Sequence, residues 1–188
     1  MARLFSWKPA LTYRGRKFKG LRGWAGKPSH PPLTDVPVAA YVIAATFDAV
    51  SFFASDGEGL ATDMFRAATY VWVAGLVVSV PTALTGFWDW LKSTPRGTQA
   101  WRTANAHMAA MVTVTLIVAG DVALRIGRWD DDATSGPLLL LSAVAAGLVA
   151  VGAMYGGSLV YDYGFNVETA GDSPVWHESE VDVFPGQK

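Results

Sequence analysis

From Pro137 to Tyr161 the chain reads PLLLLSAVAAGLVAVGAMYGGSLVY, without one charged side chain. A helix needs about 20 predominantly apolar residues to cross the hydrocarbon core of a bilayer. Three more apolar runs of similar length precede this one: Val36–Ala54, Ala67–Trp88 and Ala104–Leu124. In lipid, backbone amides and carbonyls must find partners inside the spanning segment, so such runs form helices. The expected fold is therefore all-α, an integral membrane bundle of four transmembrane helices.

What flanks the runs sets the expected topology. Residues 1–34 carry eight Lys/Arg and no acid, whereas six acids and one base, Lys188, follow Tyr161. Lys/Arg in short flanks favour the cytoplasmic side. Three regions follow: a basic cytoplasmic arm (1–34), a transmembrane domain (35–162) and an acidic cytoplasmic tail (163–188). Lys92, Arg96 and Arg102 place the second loop inside, and Asp130-Asp131-Asp132 place the third outside. Trp88, Trp90 and Trp101 fall at the inner interface and Trp72 and Trp129 near the outer one, where amphipathic rings belong. The long basic segment before a full-length span does not read as a cleaved signal peptide. The expected location is a bacterial cell membrane, crossed several times.

Helix boundaries have signals too. Thr34 or Asp35 is the expected cap of the first helix. Pro81 interrupts the second, freeing the carbonyl of Val77, which Thr82 or Thr85 can help satisfy. Ser142, Ala146, Gly152 and Gly156 make a small-residue face on the fourth, suited to packing in the bundle or to a homo-oligomer contact.

Composition excludes several functions. With no cysteine, the chain can build no disulfide, thiolate metal site or cysteine-ligated iron–sulfur cluster. No phosphate loop, nucleophile elbow or zinc-protease pattern is present, so no catalytic residue and no protein-only metal site is expected. Beside a membrane span, the basic arm suits lipid or a protein partner better than nucleic acid.

Ionisable groups within spans are costly and need a reason to be there. Threading the helices alternately gathers them at two depths. Near the inner interface fall His30, Asp89, His107 and Asp162, with Tyr163 beside them. His107, expected in the first turn of its helix, would be held neutral by the helix dipole, and neutral imidazole ligates metal. His30 and His107 are thus candidates for a haem or quinone site with Asp89, Asp162 and Tyr163 as polar neighbours; the plain alternative is mutual capping of helix ends. Toward the outer side lie the intramembrane carboxylates Asp48 and Asp121. These either pair with Arg66 or Arg125 or form part of a proton path.

Several short motifs carry a resemblance. They are SHPPLTDVPV (Ser29–Val38) followed by Asp48, TGFWD (Thr85–Asp89), NAH (Asn105–His107), and GGSLVY (Gly156–Tyr161) followed by Tyr163-Gly164. In this order and spacing the stretch from about residue 29 to 168 resembles the DUF2231 family of predicted membrane proteins. The resemblance implies a four-helix membrane domain whose relatives are often fused to a Rieske-type iron–sulfur domain, hence work near quinone-linked electron transfer. It also implies that His30, His107, Asp48 and Asp89 occupy family positions. Members often carry His-Gly where this chain has Tyr163-Gly164.

Three functions stay open on this reading. The leading expectation is a non-catalytic membrane subunit or anchor of a quinone-linked redox complex, gripping protein partners through its oppositely charged tails. The second is a b-type haem- or quinone-binding electron carrier. The third is a conduit for protons or small solutes through Asp48 and Asp121.

Overall fold

The computed structural model describes residues 20–21, 28–54, 59–165 and 167. It contains four helices: α1 (His30–Phe53), α2 (Leu60–Ser93), α3 (Gln99–Ile126) and α4 (Gly136–Tyr161). Each is long and apolar enough to cross a membrane. The arm and the tail fall largely outside the described residues.

The helices outrun the apolar runs because the helical backbone continues into polar sequence. The first begins not at Thr34 or Asp35 but at Ser29, with prolines in its first turn. Proline suits that position, since the missing N–H would have no intrahelical partner. Thr34 instead donates to the Pro31 carbonyl. At the start of α3, Thr98 caps by accepting the Trp101 amide at 3.1 Å. His107 consequently lies in the third turn, beyond the reach of the helix terminus expected to hold it neutral. The 34 residues of α2 correspond to roughly 51 Å at 1.5 Å per residue, well beyond a hydrocarbon core about 30 Å thick. Asp89 lies inside that helix rather than after it.

The helices form a square. Helix α1 packs most extensively on α2 and α3 on α4, while α1–α4 and α2–α3 contacts close the ring. The diagonal pairs do not approach through their backbones. Close approach of α1 and α2 depends on Gly75, where an added Cβ would stand 2.8 Å from Tyr41 Cε1 and 2.9 Å from the Ala40 Cβ. The middle of the bundle is filled by Tyr41, Ala44, Ala68, Trp72, Val114, Val118, Ala145 and Val149. Tyr41 and Trp72 rings lie 5.3 Å apart there. Outward positions are large and apolar, with Val77, Leu84, Leu116 and Leu140 each about two-thirds exposed. Apolar surface outside and polar contacts inside suit lipid as the solvent.

Trp72 departs from its expected place at the outer interface. It is fully buried because its indole N–H has a partner inside the bundle, Asp48. Trp129 stays at the edge, with Tyr70 against its ring and the Arg66 guanidinium 5.8 Å above it.

Two prolines interrupt the backbone ladder with different consequences. Pro37 cannot donate to Leu33, and that carbonyl accepts instead from Thr82 Oγ1 of α2 at 3.1 Å. For Pro81, the expected rescue goes elsewhere. Thr82 donates to Val78 and Thr85 to Pro81 and Thr82, and neither reaches Val77.

Candidate functional site

Starts of α1 and α3 and ends of α2 and α4 meet at one end of the bundle, where His30 and His107 come together. Their ring centres lie 6.3 Å apart with the planes at 78°. Each imidazole is seated in the same way on the helix that follows its own. His30 Nδ1 lies 3.0 Å from the Thr82 carbonyl oxygen, and His107 Nδ1 lies 2.8 Å from the Gly152 carbonyl oxygen. Four residues beyond each carbonyl is a glycine, Gly86 or Gly156, whose bare backbone gives the ring its place. A Cβ added at Gly86 would stand 2.6 Å from His30 Cε1, and one at Gly156 would stand 3.3 Å from His107 Cε1.

A carbonyl only accepts. The neutral imidazole that bonds to it carries its proton on Nδ1, which leaves Nε2 with a lone pair. This backbone support is the arrangement that orients a metal-ligating histidine. Among the described residues there is no group of three or more His, Cys, Asp or Glu able to hold a metal ion. Two imidazoles are too few for a structural zinc site, which takes four protein ligands. Two imidazoles would suffice to hold a haem iron, since the macrocycle would supply the other nitrogens. If each imidazole nitrogen sits about 2 Å from one metal, the ring centres stand roughly 6 Å apart, close to the spacing seen here.

The other candidates at this end are engaged differently. Asp89 is buried and accepts the Leu21 amide at 2.9 Å, tying a residue of the basic arm to the end of α2. Asp162 and Tyr163 are exposed; the Tyr163 hydroxyl accepts from Thr103 at 3.5 Å. Among the described hydrogen bonds none joins Asp89, Asp162 or Tyr163 to either imidazole. Backbone carbonyls, rather than these polar neighbours, support the imidazoles.

At the opposite end, charges meet across the same diagonal. Arg125 Nη2 donates to Asp48 Oδ2 and Arg125 Nε to Asp121 Oδ2, both at 2.6 Å. Of the two arginines considered as partners, the structure uses Arg125 and leaves Arg66 against Trp129. Asp48 also accepts from Trp72 Nε1 at 2.9 Å, Thr134 Oγ1 at 2.8 Å and Ser142 Oγ. All four helices thus meet at one carboxylate and its guanidinium. Ser142, Gly152 and Gly156 therefore turn into the bundle, whereas Gly147 meets nothing within 4 Å.

The two ends share a register that was not anticipated. His30 and Asp48 are 18 residues apart, as are His107 and Arg125. His107 follows His30 by 77 residues, and Arg125 follows Asp48 by 77. The carbonyl and glycine pairs, Thr82/Gly86 and Gly152/Gly156, are offset by 70. The α1–α2 and α3–α4 hairpins thus place equivalent residues face to face. Eighteen residues make five turns at 3.6 per turn, so each histidine and its charged counterpart share one helix face. This repeated spacing is the signal in the sequence that marks the arrangement.

The family model described as predicted membrane protein (DUF2231) matches residues 26–169. The chain belongs to this family. No curated protein and no solved structure matches it.

Proposed function

We propose that this DUF2231 chain is a b-type haem protein of the membrane, holding one haem between His30 and His107 and carrying single electrons. What carries the reading is that both imidazoles have Nδ1 committed to a backbone carbonyl and stand at a spacing suited to one shared metal. Haem supplies a one-electron iron couple whose potential follows ligand identity, burial and hydrogen bonding. The chain's own contributions are definite. Thr82 and Gly152 carbonyls fix ring orientation and raise imidazole basicity. Gly86 and Gly156 let each ring lie against a helix backbone.

A quinone fits this donor set less well. Its carbonyl oxygens need hydrogen-bond donors, and the neutral tautomer set by Thr82 and Gly152 has none left at Nε2. Asp48 makes a poor station for a conduit because its oxygens already accept four donors. A role beside another redox protein, gripped by the arm and the tail, is compatible with the haem reading. On the charge rule the histidine end would face the cytoplasm.

Purification in mild detergent after expression with added haem precursor tests the proposal. A Soret band with a sharp reduced-minus-oxidised spectrum is expected, lost in both His30→Ala and His107→Ala. An absent chromophore, or one that survives both substitutions, overturns it.

A further inference from the structure

The strongest feature outside the histidine end is the charge balance of the buried cluster. It holds two carboxylates, Asp48 and Asp121, and one guanidinium, Arg125. All three residues are at most 1 % exposed. With both carboxylates ionised the cluster would carry one uncompensated negative charge inside the membrane domain, an arrangement that low-dielectric surroundings strongly oppose.

The hydrogen bonds show where a compensating charge would go. Asp48 has no room for one: Oδ2 accepts from Trp72, Arg125 and Ser142 and Oδ1 from Thr134. Four donors suit an ionised carboxylate. Asp121 is the opposite case. Its Oδ2 accepts from Arg125 Nε, while its Oδ1 is buried and has no hydrogen-bond partner.

Among the described residues no other cation supplies the balance. Asp121 bonds Arg125 of its own helix, and the same guanidinium bonds Asp48 of α1. On α2, Arg66 is turned to the Trp129 ring. On α4 nothing from Pro137 to Met154 is ionisable. Around Asp121, therefore, the described helices offer one positive charge against two negative ones.

We propose that this cluster is a proton-binding site, in which Asp121 Oδ1 carries one exchangeable proton at neutral pH while Asp48 stays ionised on Arg125. The site then has zero net charge when loaded and one negative charge when empty. Nothing in this inference depends on haem.

Infrared spectroscopy of the detergent-solubilised full-length chain tests it. A protonated-carboxyl C=O stretch is expected at neutral pH, and it should shift to lower wavenumber in heavy water as the proton exchanges. It should disappear in Asp121→Asn. It should disappear as well in Asp48→Asn, because removing that charge lets Asp121 ionise against Arg125. Thermal unfolding gives a second reading. Asparagine resembles a protonated aspartate, so Asp121→Asn should keep the wild-type midpoint. The inference fails if the wild type shows no such band, or if the band survives Asp121→Asn. It also fails if Asp121→Asn lowers the midpoint as far as Asp48→Asn does. A midpoint that rises with sodium while no carboxyl band is seen would assign the open oxygen to a metal cation and would overturn it too.

Discussion

Asp48 and Arg125 touch at 2.6 Å across the bundle diagonal, from the positions in α1 and α3 that lie 18 residues beyond His30 and His107. The backbones of α1 and α3 do not approach one another. Side chains alone close the diagonal, charge to charge at one end and imidazole to imidazole at the other. The diagonal is therefore sensitive to single substitutions.

Removing one partner of a buried ion pair leaves the other uncompensated, at a cost of about 3–5 kcal/mol. Arg125→Met, which strands Asp48, should lower the midpoint of denaturant unfolding accordingly, and Asp48→Leu should lower it less, because Asp121 remains on Arg125. The double variant Asp48→Leu/Arg125→Met removes both charges and should recover part of the loss. Strict additivity of the two single effects would show that the residues do not interact in solution.

Gly86→Ala places a methyl 2.6 Å from the His30 ring and must move it off its carbonyl. If His30 is an axial ligand, losing this support should weaken haem binding by roughly 10- to 100-fold. Retention of the wild-type spectrum and affinity would argue that the seat does not matter. Gly120→Ala makes a suitable comparison, since an added Cβ there meets nothing within 4 Å and alanine is the better helix former.

Trp72→Phe keeps an aromatic ring in the middle of the bundle but deletes the indole N–H that reaches Asp48. A buried acceptor that loses a donor costs about 1–3 kcal/mol. Thermal unfolding should show that loss, whereas Trp88→Phe, at a lipid-facing position that is 46 % exposed, should change the midpoint little. Equal effects would mean that the indole bond contributes nothing.

Substitution at Gly75 tests the closeness of α1 and α2. A Cβ there meets Tyr41 and Ala40 at under 3 Å, and overpacking of this kind costs about 1–3 kcal/mol. Gly75→Ala should reduce unfolding stability by that order. An unchanged midpoint would show that the two helices part freely.

Much of the architecture was legible because lipid imposes a simple rule on sequence: long apolar runs become helices. Alternating those runs put His30, Asp89, His107 and Asp162 at one depth and Asp48 with Asp121 at another; the two imidazoles come together and the two carboxylates share Arg125, whereas Asp89 bonds Leu21 instead. The helix ends were less legible. Apolarity stops where lipid stops, but α1 and α3 continue into polar sequence from Ser29 and Thr98, which displaced His107 from its expected first turn. Trp72 was misplaced for a related reason. Interfacial preference describes a tryptophan facing lipid, and only the position of Asp48 across the α1–α2 contact shows that this one faces inward. Backbone acceptors such as Thr82 and Gly152 leave no mark on residue type; glycine four positions later is their sole trace.

The plug of Tyr41, Trp72, Val114 and Val118 between the two polar ends has an electrical consequence. Eighteen residues of helix separate the imidazoles from the charged cluster, roughly 27 Å at 1.5 Å per residue. Over that span the buried hydroxyl pair of Tyr41 with Ser79, at 2.6 Å, ends on the Gly75 carbonyl, which Ser79 reaches at 2.9 Å. Among the described residues the core thus offers no continuous hydrogen-bonded relay between the imidazoles and the charged cluster, so the two polar ends stand as separate electrostatic environments.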